Sequence, residues 1–129
     1  MSDFVLDASA VLALLHREPG AERVFSVLDR TAISAVNLAE VVSRLAERGS
    51  APAAIRDVLI RLPFAVVPVD EDLGYAAGFL RPSTRSLGLS LGDRVCLALA
   101  SRLGATALTA DRAWARLGTE LRIELLRPA

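Results

Sequence analysis

Four acidic residues of this chain, Asp7, Glu40, Asp93 and Asp111, stand where carboxylates can do chemistry. Taken singly, each has a plain structural explanation. Asp7 follows the apolar run Phe4-Val5-Leu6 and precedes Ala10-Val11-Leu12-Ala13-Leu14-Leu15, the position of a helix N-cap that Ser9 can share. Asp111 has the same relation to the segments on either side of it. Glu40 precedes Arg44 by four residues, as an ion pair on an exposed helix face would. Ser90-Leu91-Gly92-Asp93 has the spacing of a capping box, although Asp at its third position reaches less well than Glu or Gln. Capping leaves Gly92 unexplained. A glycine in a helix's first turn weakens the helix and lets another group approach the backbone closely.

The elements that carry these acids alternate along the chain. Strands are predicted at Phe4-Val5-Leu6, Thr31–Ser34, Phe64–Val69, Ala105–Thr109 and Leu121–Leu126. Helices are predicted at Ala10–Leu15, Ala21–Arg30, Val36–Arg48, Ala51–Leu62, from Asp70 to about Leu80, from Ser90 to Leu103, and from Asp111 to Leu117. Arg81–Gly88 is a loop by composition. Pro68 cannot donate to a sheet ladder, so the third strand should lie at an edge or finish there. Leu121, Ile123 and Leu125 alternate with Arg122 and Glu124, which suits a half-exposed edge strand. The alternation means one α/β domain over residues 1–129 with a mostly parallel sheet.

Asp7 and Asp111 then stand at the carboxyl ends of two strands, and Asp93 opens the helix leading into the second of them. Ligands of open parallel sheets bind outside those strand ends, where the strand order reverses. If the first and fourth strands are neighbours, that switch point lies between Asp7 and Asp111, and Glu40 faces the same crevice. Carboxylates so placed raise each other's pKa unless a cation sits among them. Hard oxygen ligands without convergent Cys or His select Mg²⁺ or Mn²⁺ over zinc. A metal so held can activate a water and neutralise a phosphodiester oxygen.

Composition bounds the alternatives. Hydrophobic residues make up 53% of the chain and charged residues 23%, as in a globular protein. The 15 basic residues are all arginine, so lysine-dependent phosphate loops and Schiff-base chemistry are excluded. Net charge is +0, so nucleic acid binding must come from local arrangement. Cys96, alone in an apolar run, reads as a buried hydrophobe and fits a reducing cytoplasm. No basic leader and no membrane-length apolar run is present, so neither secretion nor a membrane is expected.

The four acids in their contexts resemble the PIN-domain nucleases, most closely VapC-type toxins of toxin–antitoxin pairs. The resembling segments are Val5–Ala10, Ser34–Val41, Leu89–Ala98 and Leu108–Trp114, and the third is the most specific. The resemblance implies a five-stranded parallel sheet in order 3-2-1-4-5 flanked by helices. It implies a Mg²⁺-dependent endoribonuclease, with Mn²⁺ as a substitute, that dimerises and is blocked by a small antitoxin. Asp7 and Asp93 correspond to the main metal ligands. Glu40 corresponds to a ligand or to the group orienting the attacking water, and Asp111 to the holder of a second metal or a ligated water. Ser9, Asn37 and Thr109 are candidate hydrogen-bond partners of these acids.

Arg81, Arg85, Arg94 and Arg112 lie in segments near the expected crevice and are candidates to grip phosphates, or else ordinary surface arginines. His16 reads as a helix C-terminal cap, and Trp114 and Phe79 as packing residues. A phosphotransfer protein of the receiver or haloacid-dehalogenase type is a rival, but it needs a lysine, and Ser9 replaces the second acid of its motif. Two others are a PIN-like nuclease without a toxin role and a catalytically silent binding module. The latter would offer a groove around Val24–Leu28 and Ile55–Leu62 to an amphipathic helix.

Overall fold

The computed structural model describes residues 2–118 and 120–127. Its centre is β1 (Phe4–Leu6), followed by α1 (Ala8–Leu15) and α2 (Ala21–Val27). Next come β2 (Thr31–Ser34), α3 (Ala35–Glu47), α4 (Pro52–Ile60) and β3 (Ala65–Val67). The second half runs through α5 (Glu71–Phe79), α6 (Arg81–Thr84), α7 (Leu91–Leu103), β4 (Thr106–Thr109) and β5 (Ile123–Leu125). The five strands form one parallel sheet in the order β3-β2-β1-β4-β5. The order reverses at β1, where Leu6 pairs with Leu108 on β4 and Val5 with Ala32 on β2.

Successive strand residues point to opposite faces, so the sheet separates two cores. Val5 and Ala107 pack with Leu73, Val95, Leu99 and Trp114, under α5 and α7. Leu6 and Leu108 pack with Val11, Val24, Ile33, Val41 and Ile55, under α1 to α4. The result is a three-layer α/β architecture with β3 and β5 at the edges. β3 ends at Val67, one residue before Pro68, and β5 is half-buried along its length.

Several boundaries differ from expectation. α1 begins two residues early, at Ala8, because the Asp7 side chain accepts the Ala10 amide and caps it there. The segment expected as one helix from Ala21 to Arg30 tightens into a 3-10 turn over Leu28–Arg30, which delivers the chain to β2. Arg81–Gly88 is not a loop. It forms α6 and a 3-10 turn (Arg85–Leu87), held by the Thr84 hydroxyl donating to Leu80 O at 2.7 Å. The segment after Asp111 is likewise a 3-10 turn, Arg112–Arg116, around the buried Trp114. α7 ends where Gly104 takes a left-handed conformation with φ 62°.

Candidate active site

Asp7 lies at the carboxyl end of β1 with 3% of its surface exposed. Its Oδ1 accepts the Ala10 amide at 2.9 Å and the Ser9 hydroxyl at 2.7 Å. Its Oδ2 accepts the Thr109 hydroxyl from the end of β4. The same two hydroxyls bind the chain beyond β4: Ser9 Oγ accepts the Ala110 amide at 2.9 Å, and Thr109 Oγ1 the Asp111 amide at 3.0 Å. Asp111 is thereby fixed relative to Asp7 across the β1–β4 switch point. Burial pushes the Asp7 carboxyl up to about 6, against the pull of the Thr109, Ser9 and Ala10 hydrogen bonds, and the charge of Asp93 adds to the rise.

Glu40 is placed by a second network. Ser34, the last residue of β2, caps α3 by accepting the Asn37 amide at 3.0 Å, and its hydroxyl donates to Asn37 Oδ1 at 2.6 Å. The buried Asn37 side chain then donates to Glu40 Oε1 at 2.8 Å and to Gly92 O at 3.1 Å. Glu40 therefore bonds Asn37 rather than Arg44, and α3 is tied to the first turn of α7. The close approach left open by Gly92 is made by Glu40: a Cβ on Gly92 would lie 2.5 Å from both Glu40 oxygens. Partial burial raises the Glu40 pKa against the Asn37 hydrogen bond, and the Asp93 charge raises it further.

Asp93 completes a full capping box with Ser90, its Oδ2 accepting the Ser90 amide at 2.9 Å. The shorter acid does reach. Asp111 caps the following 3-10 turn by accepting the Ala113 amide at 3.0 Å. So three of the four acids cap helical segments, as their sequence contexts suggested, and all four also line one crevice of about 550 Å³. Among the described residues no group of three or more His, Cys, Asp or Glu side chains is drawn together as a metal ion would hold them. The acids stand along the walls of the crevice.

The sequence profile of the PIN domain matches residues 4–120. The chain belongs to the PIN-domain family. No curated protein matches it in sequence. Among solved structures, this PIN domain is similar to a toxin–antitoxin complex from Klebsiella pneumoniae, at 16% identity and TM-score 0.74, covering 97% of this chain and 98% of that one. It is similar to DNA-bound VapBC from Salmonella typhimurium, at 22% identity and TM-score 0.75, covering 98% and 100%. A third is Mycobacterium tuberculosis VapC20, described as a sarcin–ricin loop cleaving toxin, at 22% identity and TM-score 0.68, covering 83% and 87%.

The arginines of the PIN domain's crevice are not those singled out from sequence. Arg81, Arg85, Arg94 and Arg112 do not line it; Arg44, Arg48 and Arg127 do. Arg94 turns the other way and donates to Ala77 O on α5 at 3.2 Å. The spacing of Glu40, Arg44 and Arg48, one turn of α3 apart, was the available signal. Ser34 was also missed as a support of Glu40. His16 caps α1 as expected, and it also lines the crevice. Trp114 is buried, but Phe79 is 77% exposed and packs only loosely, near Tyr75. Of the two segments expected to border an apolar groove, Val24–Leu28 puts Val24, Val27 and Leu28 into the core, whereas Ile55–Leu62 does border one. That groove, of about 530 Å³, runs between α3, α4 and β3.

Proposed function

We propose that this PIN domain is a metal-dependent endoribonuclease that serves as the toxin of a toxin–antitoxin pair. The observation that carries this reading is the meeting of Asp7, Glu40, Asp93 and Asp111 in one crevice at the switch point of a parallel sheet. Asp7 and Asp93 would hold the ion, with Glu40 and Asp111 completing the site. The donor set fits a hard divalent cation: it is carboxylate oxygen throughout. Among the described residues Glu40 Oε2, Asp93 Oδ1 and Asp111 Oδ2 accept no protein hydrogen bond, and so are free to face an ion or its waters. The mutual charge of Asp93 with Asp7 and Glu40 is the repulsion such an ion relieves. We assign Mg²⁺, with Mn²⁺ as its substitute. When bound, the ion supplies a water nucleophile at neutral pH and offsets phosphodiester charge.

The protein's own groups do the positioning. Ser9 and Thr109 fix the Asp7 carboxylate, and Asn37 fixes Glu40 against Gly92. Glu40, held at Oε1, presents Oε2 to orient the attacking water and take its proton. Asp111 would hold a second metal or a ligated water through its free Oδ2.

Partners follow from surfaces. The groove lined by Leu38, Val42, Ile55, Leu59, Ile60 and Phe64 fits the apolar face of an amphipathic segment, which we assign to the antitoxin. The similar Klebsiella structure is described as a toxin–antitoxin complex, which supports an antitoxin partner. Self-association to a homodimer is assigned to the exposed face of α5, where Tyr75 and Phe79 stand 61% and 77% exposed. That face carries Glu71 and Asp72 at one end and is followed by Arg81 and Arg85 at the other, so two copies set antiparallel match charge. Among the described residues no helix is long and apolar enough to cross a membrane. An RNA target and the single, buried cysteine, Cys96, support assigning the activity to the cytoplasm.

Inducible expression in a bacterial host tests the toxin role. Growth arrest with RNA fragmentation, absent for Asp93→Asn, supports it. Arrest that persists unchanged in Asp93→Asn contradicts it, and folded protein without arrest or cleavage favours the binding module.

A further inference from the structure

Four acids lining one crevice repel the polyanion that this site is proposed to cut, so cations nearby must hold the substrate. The crevice extends from the four acids along the seam between α1 and α3, past Leu12, to His16 and Arg48. Its α3 wall presents Glu40, Arg44 and Arg48 in succession. At a helical rise of about 1.5 Å per residue these side chains follow one another every ~6 Å. That matches the scale on which phosphates succeed one another along an extended single strand.

The three crevice arginines differ in how free they are. Arg127 is occupied, donating to Glu18 Oε1 at 3.1 Å and to Pro19 O at 2.9 Å. Arg44 and Arg48 are exposed, and among the described residues neither pairs with a carboxylate. Arg48 is nevertheless held at one end: its Nη1 lies 3.1 Å from His16 Nε2 and 3.4 Å from His16 Nδ1. The guanidinium holds only donors, so the imidazole nitrogen accepts. Among the described residues the Nε and Nη2 groups of Arg48 donate to no protein acceptor, which leaves them for an anion.

We propose that Arg44 and Arg48 form a phosphate ladder for single-stranded RNA, gripping the two backbone phosphates next to the one held over the acids. The strand runs along the α1–α3 seam, and the ladder places the scissile bond at Glu40. This inference rests on the ribonuclease reading, and it names positioning residues, not catalytic ones.

The test measures binding of a fluorescent oligouridylate to Asp93→Asn protein in EDTA, across a salt series, with the fold checked by circular dichroism. Metal-free parent protein serves as a second background. Arg44→Gln and Arg48→Gln should each lower the slope of log affinity against log salt by about 0.7, the increment for one phosphate contact in a single strand. Arg44→Lys and Arg48→Lys should keep the slope, and Arg61→Gln, an exposed arginine outside the crevice, should leave binding unchanged. In cleavage assays the Gln variants should raise KM several-fold more than they lower kcat. Unchanged slope and KM in both Gln variants, with parent protein still binding and cutting RNA, would overturn the ladder alone. Parent protein that neither binds nor cuts RNA would overturn the ribonuclease reading and the ladder with it.

Discussion

The Glu40 carboxylate occupies the space that a side chain on Gly92 would fill, with both oxygens 2.5 Å from where its Cβ would stand. A helix's first turn gains from replacing glycine, by about 1 kcal/mol for alanine. Here that gain is set against the position of a functional acid. Gly92→Ala is therefore expected to leave stability within about 1 kcal/mol of the parent while displacing Glu40 and lowering cleavage at least tenfold. Thermal melts beside RNA cleavage rates check it. Cleavage at the parental rate would show that Glu40 need not lie where it does.

Asp7 links stability to pH in an uncommon direction. Its carboxyl is raised from 3.8 to about 6 by burial. Between those values the folded chain keeps a proton that the unfolded chain releases, so this group's stabilising contribution falls as pH rises. Charged Asp7 at neutral pH opposes folding by about 3 kcal/mol without metal. Asp7→Asn should abolish cleavage and yet raise metal-free stability at neutral pH by about 1–3 kcal/mol. Urea unfolding from about pH 4 to pH 7 should show the parent losing stability relative to the variant across that window. A constant difference would contradict the assignment.

The bridge made by Asn37 is a further point of attack. Its side chain is fully buried and serves Ser34, Glu40 and Gly92 at once. Asn37→Ala strands the Gly92 carbonyl and the Ser34 hydroxyl, a loss of about 2–3 kcal/mol. It should also release Glu40, so that cleavage falls even well below the lowered melting temperature. Denaturant titration and cleavage at low temperature separate the two effects.

The pairing face proposed on α5 is testable by size. Tyr75→Ser combined with Phe79→Ser should shift the protein to monomer in sedimentation without lowering its stability, since both rings are exposed. An unchanged assembly would remove α5 from the interface.

Much of this geometry was legible beforehand. Asp7 directly after the run Phe4–Leu6, and Asp111 two residues after Thr109 at the end of β4, announce strand-end functional positions, because strand residues end at the sheet's rim. Pro68 placed β3 at an edge, and the unexplained Gly92 pointed to a close neighbour. What stayed hidden depended on tertiary packing. Which arginines reach the crevice is decided by how α1 and α3 lie against each other, and Arg94 turns toward α5 instead. Phe79 looked like packing because it is aromatic. Leu73 and Ala77 are buried one turn apart, so Tyr75 and Phe79 share the opposite face of α5. The turn of α6 was hidden because its polar composition suits a loop, and its support is the buried Thr84.

The acids of this crevice are proposed to hold a divalent metal on which RNA cleavage depends. This is tested most directly by incubating antitoxin-free protein with a mixed pool of structured RNA in Mg²⁺, in Mn²⁺ and in EDTA, beside Asp93→Asn. The account predicts discrete cuts with either metal that vanish both in EDTA and in the variant. Cuts that survive EDTA or the Asp93→Asn substitution would contradict it.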